Sequence, residues 1–440
     1  MKTKISPIKD LLKFSIPLIT GQVGQMLMGV GDLMVAGRYS KEVVSAVGVA
    51  SAIFGSFLML GLGFSYAFAP LLAERMGEGK KVQGYLFTII VYSLLISLLL
   101  IIPQVIFLKW GVPYLNLPAP IVPLFRDFFN VIVCSLPFIM VYQGVKEYLQ
   151  VQKDIWYANI LVIVANFTNM FLNIILCFGL FGFPEMGGKG LAYATLINRA
   201  LMATALVYYV RKDLFLNLKI VKNYISDAFR LGFPIAISIL MEVSIFTVVT
   251  VLIGKMDVES SAAHNIIMSI GSFTFMFPLA LGNATSTLIA LALSDNRGED
   301  AKAYAYSGLK LAAIFEICTT LSFILLPVLL LSIYTDKLDV IEKGKELIIF
   351  AALFQIPDGI QATLSGILRG MQVTRPVMIL TMIGYWVIGL PLGIYLAYYQ
   401  GMMAKGLWIG LASSLTIMAV LLFLLFLRHS SRRFTLAVEA

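Results

Sequence analysis

The stretch "VQGYLFTIIVYSLLISLLLIIPQVIFL", residues 82–108, contains no Asp, Glu, Lys or Arg. As a helix rising ~1.5 Å per residue it reaches ~40 Å, more than the ~30 Å hydrocarbon core of a bilayer. Five more charge-free runs flank it: 43–73, 155–184, 260–294, 376–404 and 406–427. Six further apolar stretches are shorter or carry an interior charge: 11–36, 122–145, 190–210, 229–254, 304–334 and 347–368. Together they predict twelve transmembrane helices in an all-α, polytopic integral membrane protein. Composition agrees. The chain of 440 residues is 59% hydrophobic and 13% charged, whereas soluble domains carry about 25% charged residues. The net charge of +9 fits basic cytoplasmic loops. No nucleic-acid-binding motif accompanies it, so no nucleic-acid partner is expected.

The loops set the orientation. Lys and Arg number 22 on the side of both termini, among them Lys2, Lys4, Lys146, Arg211, Lys212, Arg432 and Arg433, against ten on the other. Positive charge gathers in the cytoplasm, so both ends are expected there. The basic start "MKTKISPIKD" has no small-residue cleavage site after a short apolar core, which reads as a retained first span. Cys134, Cys177 and Cys318 lie far apart in apolar runs, with no CxxC pair, and read as buried small hydrophobes. His264 and His429 make no usual zinc spacing with them. No GxSxG, P-loop or HExxH suggests an enzyme.

The halves of the chain repeat. "LKFSIP" at 12–17 matches "FRLGFP" at 229–234, a shift of 217. The same shift lays "MVAGR" at 34–38 on "VLIGK" at 251–255 and "SAVGVA" at 45–50 on "AAHNII" at 262–267. Later, "GKGLA" at 188–192 aligns with "AKGLW" at 404–408. Six helices per half give two copies in the same orientation, the pattern of a parallel-repeat transporter. The predicted domains are a lobe at 1–211, a basic cytoplasmic linker at 212–228, a second lobe at 229–428 and a tail at 429–440.

Five ionisable residues fall well inside spans: Asp32, Arg199, Glu242, Glu316 and Asp358. A charge at a helix centre costs ~2.5–3.5 kcal/mol on insertion scales, so such residues face a cavity or a partner. Gln22, Gln25 and Asp32 share one face of the first helix, and Asn166, Asn169 and Asn173 form a polar ridge on the fifth. Thr195 lies in the sixth. Such oxygens suit a small hard cation or a proton. They equally suit polar packing between helices. Under the repeat, Glu242 falls opposite Gln25, and Asp32 opposite Val249, so the two halves have different polar centres. Arg199 and Glu316 read as packing charges, without polar company at helical spacing. Pro357 and Pro391 should weaken the tenth and eleventh helices. Runs such as "SFTFMFP" at 272–278 could line a pocket for flat apolar cations, or simply face lipid.

Several segments, taken in order, carry a resemblance. They are "GQMLMGVGDLMVAGRYSKEVVSAVGVA" at 24–50, "LNIILCFGLFGFPEMGGKGLAYAT" at 172–195, "MEVSIFTVVTVLIGKMD" at 241–257, "PDGIQATLSGILRGMQVTRP" at 357–376 and "YWVIGLPLGIYLAYYQGMMAKGLWIG" at 385–410. The chain resembles the multidrug and toxic compound extrusion (MATE) transporters over essentially its whole length, and their NorM-like branch in particular. The resemblance implies two six-helix lobes in a V around a central cavity. It implies efflux of organic cations driven by inward Na+ or H+, with no other cofactor, from a bacterial inner membrane. Asp32 matches the family's first-helix acid, Asn169 and Asn173 its helix-five polar pair, and Thr195 its helix-six hydroxyl. One branch carries an acid where this chain has Asn173. Glu242 and Asp358 match the second lobe's acids. The expected coupling set is thus Asp32, Asn169, Asn173, Thr195, Glu242 and Asp358, with Asp32, Asn173, Glu242 and Asp358 as candidate Na+ ligands. Cargo would meet Asp32, Gln25, Glu242 and Asp358. The expected assembly is a monomer in the lipid bilayer. A flippase for lipid-linked sugars, of related fold, is the alternative. It should favour intramembrane bases, and here acids outnumber bases four to one. A prenyltransferase would need an aspartate-rich motif that the chain lacks.

Overall fold

The computed structural model of the chain describes residues 6–115 and 117–439, except the side chains of 431–433 and 435–439. Lys2, Lys4 and the side chains of Arg432 and Arg433, used above for orientation, lie outside the described residues. Among the described residues every regular element is helical. In lipid a helix satisfies its own backbone N–H and C=O groups, and an open sheet edge does not.

Eleven segments are long and apolar enough to cross a membrane. They are α2 Lys41–Gly77, α3 Val82–Leu115, α4 Ile121–Val151, α5 Trp156–Phe178, α6 Gly188–Tyr209, α7 Lys222–Gly254, α8 Val258–Ser294, α9 Gly298–Leu325, α10 Leu338–Gly370, α11 Arg375–Tyr399 and α12 Met403–Ser430. Before them comes α1, Pro7–Tyr39, whose 33 residues also suffice in length. It is absent from the eleven because Gln22, Gln25 and Asp32 dilute its apolar content. The eleven plus α1 make the twelve expected from sequence. The tail is no separate element, since the last helix continues to Glu439. The stretch 212–228 holds most of a short helix, Arg211–Leu216, and the first turns of α7. Lys146, counted above with the loops, is instead buried inside α4 beside Glu147.

Several spans are interrupted. α2 turns at Tyr66–Ala67, and α4 breaks at Cys134–Ser135. α11 carries two π-helical segments, Ile383–Gly389 and Tyr395–Tyr399, on either side of Pro391. π turns release the backbone strain that a mid-helix proline imposes. α10 passes through Pro357 as continuous helix.

The chain folds as two compact units, Thr20–Ala236 and Ile237–Ala440, the latter joined by the chain's start up to Ile19. We call them the N unit and the C unit. In the C unit α10 is the centre, packed on α8, α9 and α12. Leu347, Ala351, Leu364 and Ile367 of α10 are fully or almost fully buried. Small residues allow the approach to α8. A Cβ on Gly366 would overlap the backbone of Gly282, and one on Gly370 would stand 2.5 Å from the carbonyl oxygen of Ser286. In the N unit α5 meets α6 in the same way, Gly190 facing the carbonyl oxygen of Leu176. Lipid exerts no hydrophobic pressure between helices, so close backbone approach of this kind provides much of the association.

Candidate functional site

In the N unit α1, α5 and α6 bring one carboxylate and three neutral polar side chains together. Asn173 Nδ2 donates to Asp32 Oδ1 at 2.7 Å, and Thr195 Oγ1 donates to Asp32 Oδ2 at 3.1 Å. Asn173 Nδ2 also donates to Asn169 Oδ1 at 3.1 Å, and Asn169 Nδ2 donates to Thr195 Oγ1 at 3.3 Å. All four residues are buried, Asp32 at 8% exposure. The spacing of the ridge explains this. Asn169 and Asn173 are one turn apart on α5 and aim at the same stretch of α1. Asn166, a turn earlier, donates to the carbonyl oxygen of Gly24 at 2.9 Å and anchors the two helices. Gln25 lies outside the network, its Nε2 buried and unpartnered.

Arg199 was legible as an intramembrane charge, but its neighbours were not. Its Nη1 donates to Ser135 Oγ at 2.7 Å, at the break in α4, and its guanidinium sits 4.9 Å from the Phe54 ring centroid. It also acts electrostatically on Asp32. These contacts come from α2 and α4, so spacing along α6 could not show them. The N-unit site therefore pairs one acid with one base. Asn173 Oδ1 remains buried without a donor beside Asp32. A carboxylate oxygen keeps a lone pair after accepting one bond, so the cluster has room on its acceptors for a proton or a hard cation.

The C unit differs. Glu242 on α7, Glu316 on α9 and Asp358 on α10 occupy three helices. Gln361, one turn after Asp358, hydrogen-bonds the Glu242 side chain. The Asp358 carboxylate feels both Glu242 and Glu316, and Tyr385 of α11 feels Glu242 and Asp358. None of the three acids has a Lys, Arg or His acting on it among the described residues. Three acceptor atoms stay buried and unpartnered here: Asp358 Oδ1, Gln361 Oε1 and the Tyr385 hydroxyl oxygen. Among the described residues no three acid, His or Cys groups converge on one metal position. The structure thus forms two separate polar centres, with Asp32, Asn169, Asn173 and Thr195 in one and Glu242 and Asp358 in the other.

The fold and these centres define a membrane transporter built from a parallel repeat, and the comparisons name its family. The chain belongs to the MatE family, whose profile matches it twice, at residues 17–177 and 234–395. The two matches begin 217 residues apart, the shift read from the sequence. The "Multidrug resistance protein NorM" of Photobacterium profundum is 30% identical over 433 residues, covering 94% of each chain. The "Multidrug resistance protein MdtK" of Proteus mirabilis is 29% identical over 442 residues, covering 96% of this chain and 95% of that one. Among solved structures, the eukaryotic MATE transporter AtDTX14 superposes with a TM-score of 0.89 at 20% identity, covering 98% of each chain. An outward-facing multidrug resistance MATE transporter superposes at 0.87 and 18% identity, covering 98% of this chain and 97% of that one.

Proposed function

We propose that this protein exports organic cations in exchange for inward Na+ or H+, by alternating access, as a monomer in the bacterial inner membrane with both termini cytoplasmic. Relatives named for multidrug resistance at about 30% identity over most of the chain support the efflux. One observation carries the coupling: in the C unit Glu242, Glu316 and Asp358 lie with no base acting on them and beside unpartnered acceptor atoms. An acid with a salt-bridge partner is already compensated. An acid without one takes up a cation or proton in whichever state favours it, and an ion shifts the inward–outward balance only by binding one state better. Asp32 is the N-unit acceptor, held by Asn173 and Thr195. Glu242 and Asp358 are the C-unit acceptors, and they or Asp32 and Gln25 meet the cationic cargo.

The test is dye efflux from proteoliposomes under an imposed Na+ or H+ gradient, with an ethidium-type cation as cargo. Gradient-dependent export supports the reading. Transport of anionic or neutral lipids alone overturns it in favour of the flippase.

A further inference from the structure

We propose that the groove between α3, α4 and α6, on the linker side of the N unit, seats an anionic phospholipid, with one acyl chain along its apolar walls and the phosphate on Arg211. The first observation is the cavity. It holds about 480 Å³ and is lined by Leu94 of α3, Pro137 and Val141 of α4, Ala203 and Val207 of α6, and Phe215 of the short helix Arg211–Leu216. Its lining runs from Pro137, beside the break in α4, to Arg211. The nearly continuous helical steps from Ala203 to Arg211 rise ~12 Å at ~1.5 Å each. One leaflet of a ~30 Å hydrocarbon core is ~15 Å deep, so the groove has the reach of a single acyl chain. It opens on an apolar surface: Leu94, Leu98 and Ile102, successive turns of α3, are all exposed, and such a stripe marks a lipid-facing side.

The second observation is charge. Arg211 is the one charged side chain lining the groove among the described residues. Its guanidinium lies 3.9 Å from the Tyr208 ring centroid, and its Nη1 donates to the Tyr208 carbonyl oxygen at 2.8 Å. These contacts hold the guanidinium plane at the mouth and use one of its five N–H donors. No acid pairs with it among the described residues. Asp213, two residues on, is taken instead by Tyr148 Oη at 2.7 Å and Gln152 Nε2 at 3.5 Å. A free guanidinium fork matches two phosphate oxygens at once, and the exposed Lys212 follows with a second positive charge. Phe215 and Leu216, each 72% exposed, lie at this same end, with Tyr208, a residue type that settles at headgroup depth. Basic pockets between spans at that depth suit anionic headgroups. The charge decides against other occupants: a cationic cargo would be repelled by Arg211 at the mouth, and a free phosphate gains nothing from the apolar walls.

The test titrates the purified full chain with phosphatidylglycerol or phosphatidylethanolamine and reads the lipid-bound fraction by native mass spectrometry. Wild type should bind phosphatidylglycerol more tightly, because the ammonium group of phosphatidylethanolamine opposes Arg211 and Lys212. Arg211→Gln should weaken phosphatidylglycerol at least ~tenfold, the loss of charge-assisted hydrogen bonds, and phosphatidylethanolamine far less. Lys212→Gln should weaken phosphatidylglycerol no more than ~fivefold, the effect of one diffuse surface charge. Thr204→Phe, at an exposed position on the groove wall, blocks the seat of the chain and should weaken both lipids. None of the three positions is in the buried core, so all three variants should melt with wild type. Glycerol phosphate, a headgroup without chains, should leave bound lipid in place at millimolar concentration. Its displacing the lipid would make the ligand a free phosphate and overturn the proposal. So would equal binding of the two lipids by wild type, equal losses in Arg211→Gln and Lys212→Gln, or unchanged binding in Thr204→Phe.

Discussion

At the residue scale Asp32 decides most. Its two oxygens accept from two neutral donors, and an Asn in its place keeps an oxygen for Asn173 Nδ2 while its amide nitrogen meets the Thr195 hydroxyl, which accepts as well as donates. The cost to stability is about one hydrogen bond, ~1 kcal/mol. Under the proposed function, the cost to transport is the whole ion site of the N unit. Asp32→Asn should therefore abolish gradient-driven efflux while purified protein still melts cooperatively near wild type. Full activity in that variant would make Asp32 a packing residue. Thr195→Ala removes one of the two donors and leaves the carboxylate, so its expected effect is partial: ~1 kcal/mol of ion binding, about a fivefold weaker Na+ or H+ dependence of efflux. An unchanged ion dependence would show that the hydroxyl only packs. Helical spacing exposed Asp32, on one face with Gln22 and Gln25, and its partners Asn169 and Asn173, one turn apart, whereas Thr195 stands out only through the family resemblance. The same spacing missed what surrounds Arg199, whose partners arrive from other helices. It also passed over Thr319, three residues beyond Glu316 on the same face, whose hydroxyl bonds that acid.

At the element scale the sequence told the helices apart well, because charge-free runs end where a bilayer ends. It told less about their interiors. The break in α4 at Cys134–Ser135 is followed by Pro137 in the first turn of the next helical segment, a position proline favours, and Ser135 closes the break locally by donating to the carbonyl oxygen of Ile132 at 2.6 Å. Pro391 did announce a disturbance, and the π segments beside it are the form it takes. The α8–α10 seam gives a sharp expectation. Gly366 faces the backbone of Gly282, which cannot give way as a flexible side chain can. Gly366→Val overpacks that seam by two carbons beyond Cβ and should cost at least ~3 kcal/mol. We expect the variant to purify poorly and to melt well below wild type, and Gly55→Val, at a position with open space, to behave as wild type. Equal behaviour of the two would show that the seam is not closely packed.

At the scale of the whole molecule, the repeat is the fact that composition could not supply and that alignment of the chain with itself could. Its twofold match to one family profile and the two differing polar centres belong together: a duplicated frame with unlike contents. Reporter fusions at the two ends should both give cytoplasmic activity, and periplasmic activity at either end would overturn the loop-charge argument.

The borders of the two units have a genetic consequence. α1 starts in the C unit and continues in the N unit from Thr20, while α7 starts in the N unit and continues in the C unit from Ile237. Residues 17 and 234, the equivalent prolines, stand within three residues of these crossings. Each half of the gene therefore encodes a small part of the other half's product. Two such halves, made as separate polypeptides cut at 217/218, would be reciprocal debtors: each would keep seven to nineteen, or 222 to 236, from the partner that needs it. We expect neither polypeptide to accumulate alone and both to accumulate, with efflux restored, when made together. A stable, cooperatively melting 1–217 fragment on its own would show that the exchange of segments is dispensable. If it is not, a single six-helix ancestor could have worked only as a pair of interlaced copies, and fusing the two genes would have preserved a knot of inheritance already tied between separate chains.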